Sequence, residues 1–301
     1  MSDLVSDEAL RLAERAARKA KNRDTPIRSR FVQRPDTDSP EPPLARLLRG
    51  GQGGEVRLKV YLAMLWIAAG DGHAVEFAAH DYARLLDLDD PYKNGARRVN
   101  DALRRLAANG LILLERRPGR EPVATLLSDD GSRRPYGKPG TAEKNPDTKK
   151  AYPENVYFKL PVGFWTNGWA VHCPGPAMAM LLVLLDQSRS KGKDNIWIAP
   201  SRLKETYCFS DDTRSRGIEV LEDTALVFIR RMPVSEEFGY RRVRNSYSLD
   251  PSLLSTPVKR GAKEEWQLYQ DIFEERRHEA WSNYVQVRVK MASGELVIPQ
   301  T

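Results

Sequence analysis

The stretch 91–127 restricts the folds open to this chain more than any other. It begins with apolar residues at three- and four-residue spacing, which share one face of a helix. These residues are Val99, Ala102, Leu103 and Leu106. The Asn-Gly pair at 109–110 is typical of a helix C-terminus, where a left-handed residue stops the helix. Residues 111–117 and 123–127 then predict two short strands joined by a Pro-Gly turn.

A helix followed directly by a two-stranded hairpin predicts the third helix and the wing of a winged helix-turn-helix. Outside its apolar face this helix has five basic residues and one acid, Asp101, a net charge of about +4. The basic residues are Lys93, Arg97, Arg98, Arg104 and Arg105. Such a charge suits a helix that enters a groove lined by phosphates.

Composition indicates a globular protein with a polyanionic partner. The chain has 301 residues, of which 41% are hydrophobic, and a net charge of +7. Two cysteines, Cys173 and Cys208, are too few for a disulfide framework and suggest a reducing compartment. Because no apolar run could span a bilayer and no signal core is present, we expect no membrane and a cytoplasmic location, associated with the nucleoid or a plasmid.

The rest of the chain predicts an α+β protein, mainly α with small β hairpins. The predicted order is a basic N-terminal helix or arm with a Pro/Gly linker (1–54), a first winged helix (55–127), a flexible linker (128–150), a second winged helix (151–250), and a C-terminal helix with a hairpin (251–301). The N-terminal helix is either a loosely held solubilising segment or an arm that follows the DNA backbone. We expect the C-terminal hairpin to pair 285–291 with 295–298.

The two predicted winged helices repeat one order of elements about 115 to 120 residues apart. In the second, 176–188 is an apolar helix, 200–209 a short helix, and 211–225 a helix capped by Ser210. This last helix has a net charge of about −3, so only its first turn is expected to approach DNA.

The candidate motifs for catalysis, nucleotide binding and metal binding do not have the residues or the spacing that those functions require. The segment 131–138 resembles a phosphate loop, but its spacing is wrong and Pro139 stands where a hydroxyl should bind magnesium. The four histidines are scattered, without ligand spacing. The aromatic stretch 163–169 could stack on bases, although a core position is favoured. We therefore expect no catalytic residue, no metal and no cofactor.

Arginine and asparagine can read base edges, and other basic residues bind phosphates. In the first repeat we expect DNA contacts from the third helix and the wing. These residues are Lys93, Asn94, Arg97, Arg98, Arg104, Arg105, Arg116, Arg117 and Arg120. In the second repeat we expect contacts from the first turn of the third helix and from a basic wing. These residues are Thr213, Arg214, Arg216, Arg241, Arg242 and Arg244.

In element order, residues 55–250 resemble the plasmid replication initiators of bacteria, which use paired winged helices to grip origin repeats. They are also similar to tandem winged-helix regulators carried on mobile elements. The resemblance implies a non-enzymatic, sequence-specific double-stranded DNA-binding protein, either an initiator or a regulator of a plasmid, phage or integrative element. In the initiators the second domain usually leads in recognition, whereas here the first has the more basic helix. The alternative is a protein-interaction adaptor that uses its winged helices as docking modules. A second copy of the chain and the replication or transcription machinery are further candidate partners.

Overall fold

A computed structural model describes residues 4–21, 23–50, 53–68, 73–76, 78–116, 118–141, 152–192, 194–237, 240–267 and 277–295. They form an α+β fold in which helices surround small antiparallel sheets. The helices are α1 (Asp7–Lys19), α2 (Ser29–Val32), α3 (Pro43–Leu48), α4 (Gly54–Ile67), α5 (Ala79–Leu85), α6 (Ala96–Ala108), α7 (Gly163–Thr166), α8 (Trp169–His172), α9 (Gly175–Lys191), α10 (Pro200–Glu205), α11 (Asp211–Asp223), α12 (Ala262–Gln267) and α13 (Arg277–Ala292). The strands are β1 (Thr25–Arg28), β2 (Ala74–Glu76), β3 (Ile112–Glu115), β4 (Val123–Leu126), β5 (Tyr157–Leu160), β6 (Val227–Glu237) and β7 (Tyr240–Leu249).

The helix and hairpin predicted within 91–127 are present. The whole predicted apolar face of α6 is buried against α4 and α5. Gly110 ends the helix with φ of 70°, a conformation that a residue without Cβ adopts at no steric cost. Strands β3 and β4 pair antiparallel, and β2 adds to the far edge of β4 through the pair Val75 and Ala124. The result is a three-stranded sheet packed beside three helices.

Residues 175–249 repeat this order of elements. Helix α9 is followed by a single bridge of Ile196 to Tyr247, then by α10, α11 and the β6–β7 hairpin. The bridge matches β2, since both join a residue before the second helix to the last strand of the repeat. Helix α11 packs so closely on α9 that a Cβ at Gly217 would lie 2.4 Å from the carbonyl oxygen of Pro176.

The N-terminal segment differs from the predicted arm and linker. Helix α1 buries Ala13 and Ala17 and packs between α5 and α7, and β1 pairs with β5. Residues 33–54, predicted to be extended, contain α3, which buries Leu44 and Leu47. The small alanine face of α1 allows close helix packing, which explains why a charge-rich helix belongs to the core.

Residues 128–141 also differ from the predicted linker. Asp129 is fully buried and forms an ion pair with Arg28 of β1, and Leu127 forms a bridge with Pro135. Turn formers in this segment therefore shape a packed loop. The rest of the predicted linker, 142–150, lies outside the described residues.

The predicted C-terminal hairpin is wrong, because 285–291 belongs to α13. Alternating valines suggested a strand there. The structure instead buries Trp281 and Val285, four residues apart on one helical face, while Val287 stays 42% exposed. Residues 296–298, the second half of that hairpin, lie outside the described residues.

The aromatic stretch 163–169 belongs to the core, as favoured from the sequence. Trp165 stacks on Trp66 of α4 with ring centroids 4.9 Å apart, and the Trp169 indole donates to the carbonyl oxygen of Thr256. These contacts tie α7 to the first repeat and α8 to the segment after β7, and buried apolar residues form one cluster from α1 to α13. The predicted domain boundaries stay a prediction.

Candidate nucleic-acid interface

A cleft of about 1300 Å³ opens between the two repeats. One wall is the solvent face of α6, and the other is the turn between α10 and α11. The α3–α4 turn and the start of α9 also line it. Six arginines line the cleft, against Glu55 and Asp101. They are Arg49, Arg57, Arg97, Arg98, Arg104 and Arg105.

The predicted residues of α6 line this cleft. Burial of the apolar face turns Arg97, Arg98 and Arg105 outward, and all three are exposed. None of them forms an ion pair within the part of the chain that the structure describes. Arg104 differs, because its guanidinium pairs with Asp101 one turn earlier. Among the residues that the structure describes, the helix therefore presents three cations that form no ion pair.

Lys93 and Asn94 lie before α6, in a π-helical turn of residues 91–95, and are exposed. Asp90, at φ of 46°, begins this turn, and its Oδ2 accepts from the backbone N–H and the side-chain amide of Asn94 at 3.5 and 3.4 Å. Both residues lie outside the cleft. An adenine contact by Asn94 would require it to release Asp90.

Two of the three predicted wing residues of the first repeat, Arg116 and Arg120, lie between β3 and β4. Arg116 follows β3 directly and Arg120 lies in the turn; both are exposed. Arg117 lies outside the described residues. The hairpin therefore carries cations at a second place, apart from the cleft.

The start of α11 contributes polar groups to the cleft. Ser210 Oγ accepts from the backbone N–H of Thr213 at 3.1 Å, and the two hydroxyls lie 3.0 Å apart. Both residues line the cleft. The nearby arginines are engaged locally, since Arg214 pairs with Asp211 and Arg216 with Asp212, each at 3.0 Å. The structure thus brings Thr213 to α6 but leaves the other two outside the cleft.

The second hairpin holds the remaining predicted residues. Arg244 is exposed, with its guanidinium carbon 4.9 Å from the ring centroid of Trp197. Arg241 and Arg242 belong to β7 by backbone, but their side chains lie outside the described residues. A guanidinium over an indole keeps its charge while its orientation is fixed.

Two cleft arginines were missed by the sequence analysis. Arg49 lies in the predicted linker, and Arg57 lies in the first predicted winged helix but outside its third helix and wing. The α3–α4 turn brings both to the cleft, and Gly54 makes the turn possible, since a Cβ there would lie 2.9 Å from the carbonyl oxygen of Leu48. Arg49 pairs with Glu41 at 2.6 Å. No periodicity could have identified them, because their position depends on that turn.

The acids of the cleft are already paired. Glu55 contacts the buried Lys59 at 2.7 Å and accepts from the backbone N–H of Gly175 at 3.2 Å. Asp101 pairs with Arg104. The cleft is therefore basic, with its negative charge tied to structural partners.

No protein-family model, curated protein or solved structure matches the chain. The ranges that the structure describes contain no group of three or more side chains able to hold a metal ion. In those same ranges no helix combines the length and apolar character needed to cross a bilayer.

Proposed function

We propose that this protein binds double-stranded DNA in a sequence-specific manner through two winged helices in tandem. The order helix, short strand or single bridge, helix, helix, hairpin in each repeat supports this proposal, as does the pairing of that strand or bridge with the last strand. In a winged helix the third helix enters the major groove and the hairpin lies beside it. By this proposal α6 and α11 are the third helices.

The observation that carries the proposal is the unneutralised charge along α6. Arg97, Arg98 and Arg105 are exposed in a cleft whose two acids already have partners. Clustered cations repel one another, and a phosphate that joins them relieves that repulsion through charge-assisted hydrogen bonds. Arginine also reads guanine bidentately, which allows the first turns of α6 to provide specificity.

The two repeats make different contacts with DNA. Arg97 and Arg98 contact bases, while Arg104, Arg105 and the first wing contact phosphates. The acidic α11 approaches DNA only at its first turn, and its basic hairpin contacts the backbone. In this respect the protein resembles plasmid initiators and mobile-element regulators, and we propose that it acts on plasmid, phage or integrative-element DNA in the cytoplasm, without a catalytic step.

Binding to duplex fragments from the DNA around its own gene, over a series of salt concentrations, tests the proposal. We expect affinity to fall steeply with salt. The double variant Arg97→Ala/Arg98→Ala should weaken specific binding by about 1–3 kcal/mol for each base that the two arginines read. Lys290→Ala, an exposed cation on α13, is the control and should bind as the wild type does. Salt-independent binding would contradict the proposal. So would capture of a replication or transcription subunit without any binding to DNA, the result expected of an adaptor.

A further inference from the structure

The floor of the cleft holds a guanidinium with a fixed orientation. Arg57 projects from α4, and its Nε and Nη2 donate to the carbonyl oxygens of Leu47 and Arg49 at 3.0 and 2.8 Å. These bonds leave Nη1 for another acceptor. A long side chain held at two points has already given up much of the freedom that ligand binding would otherwise remove.

A second arginine of the same cleft has no ion-pair partner among the described residues. Arg105 of α6 lines the same cleft and is exposed. Neither guanidinium forms an ion pair with any described residue. Burial lowers the pKa of Arg57, and repulsion from Arg105 lowers it further. The repulsion between the half-buried Arg57 and the exposed Arg105 would be relieved by an anion that both contact.

We propose that Arg57 and Arg105 together bind a single phosphate of the DNA backbone at the floor of the cleft. This inference rests on the proposed DNA-binding function and adds to it a contact from the scaffold helix α4. The phosphate would lie between α4 and α6 and would fix how deeply α6 enters its groove. Because the contact involves no base, it adds the same affinity to every sequence.

Salt dependence can count the phosphates that the pair binds. Each neutralised phosphate contributes about 0.9 to the slope of log affinity against log salt, which is about a 3.5-fold loss between 50 and 200 mM salt. We therefore compare the wild type with Arg57→Gln, Arg105→Gln and the double variant. If the two share one phosphate, the double variant should lower the slope by about 0.9, and each single variant by less. Two separate contacts would give about 1.8 in the double variant.

Three controls separate the possible failures. Lys290→Gln removes one exposed cation outside the cleft and should leave the slope unchanged. The preference for specific over random duplex should stay the same in all three cleft variants. Arg105→Gln changes an exposed side chain, so it keeps the test valid if Arg57→Gln disturbs the α3–α4 turn.

Each outcome decides the inference. A wild type that does not bind duplex refutes the proposed function and this inference with it. A wild type that binds, with an unchanged slope in the double variant or a change of about 1.8, refutes the shared phosphate alone. A last measurement records thermal unfolding in inorganic phosphate against chloride at equal ionic strength. Stabilisation by phosphate that depends on Arg57 and Arg105, with an unchanged DNA slope, would assign the pair to a free phosphate and overturn the backbone contact.

Discussion

The buried ion pair between Arg28 and Asp129 allows a quantitative test of how the N-terminal segment and the 128–141 loop are held. Arg28 Nη1 lies 2.5 Å from Asp129 Oδ1, and the backbone N–H of Arg28 donates to Oδ2 at 2.8 Å. Arg28 Nη2 also donates to the carbonyl oxygen of Gly137 at 2.6 Å. The side chains are 6% and 0% exposed.

Asp129→Asn removes the negative charge with almost no change in volume. Burial raises the pKa of Asp129, although the charge and hydrogen bonds of Arg28 oppose this rise. The neutral amide still accepts from the backbone of Arg28, but it leaves a guanidinium buried without a counterion. Breaking a buried pair on one side costs about 3–5 kcal/mol, and we expect Asp129→Asn to lower the free energy of unfolding by that amount.

Urea unfolding followed by circular dichroism measures the loss. The matched control is Asp101→Asn, which breaks the Arg104 pair at a place where both side chains are 57% exposed and should cost about 1 kcal/mol or less. The double variant Arg28→Met/Asp129→Leu should recover part of the loss, because no charge then remains buried. If Asp129→Asn costs no more than the control, residues 128–141 are not held by this pair and the reasoning fails.

Two further predictions concern Cys208 and Asp130. Cys208 is half-buried at the cleft, and burial raises the pKa of its thiol; burial of Cys173 is complete and raises the pKa of that thiol to about 12. We therefore expect iodoacetamide to label Cys208 slowly and Cys173 not at all. Specific duplex should slow the labelling of Cys208 further, and an unchanged rate would mean that DNA binds elsewhere. Asp130 loses hydration on burial, which raises its pKa, but hydrogen bonds from Ser132 and then Ser128 and Arg134 lower the pKa from 3.8 to about 2. The stability that Asp130 contributes is therefore present above pH 3.8 and is lost as the pH falls towards 2. Asp130→Asn should flatten the dependence of the free energy of unfolding on pH in that range. An unchanged pH profile would contradict this assignment.

Local patterns predicted the elements that bury one clear face. The apolar positions of α6 and the stop at Gly110 are properties of neighbouring residues, and so is the Ser210 cap of α11. Helical spacing and capping act within one turn, so the sequence contains all that is needed to recognise them.

Tertiary contacts determine the structure of the elements that the sequence patterns predicted wrongly. The N-terminal helix was expected to be a loosely held segment or a basic arm, but the alanines of α1 are buried where α5 and α7 pack. Valines at 285, 287 and 289 alternate as in a strand, yet Trp281 docks beneath Ala225, with its indole donating to the Ala225 carbonyl oxygen at 2.8 Å, and this contact favours the helical register. When a sequence fits both helical and strand periodicity, the packing surface of the folded protein determines which structure forms.

The cleft itself depends on both kinds of information. The charge on α6 was visible in the sequence, and the net negative charge of α11 limited the expected DNA contacts of that helix to its first turn, next to those of a basic wing. The part of α11 that lines the cleft is its start, where Ser210 and Thr213 contribute hydroxyl groups and the intervening Asp211 and Asp212 pair with Arg214 and Arg216. The acidic body of α11 would repel phosphates over most of its length, whereas the N-terminus of the helix carries a partial positive charge. The arrangement thus shows how a basic helix and an acidic helix can border one cleft: α6 supplies four of its six arginines, and the capped start of α11 forms the opposite wall.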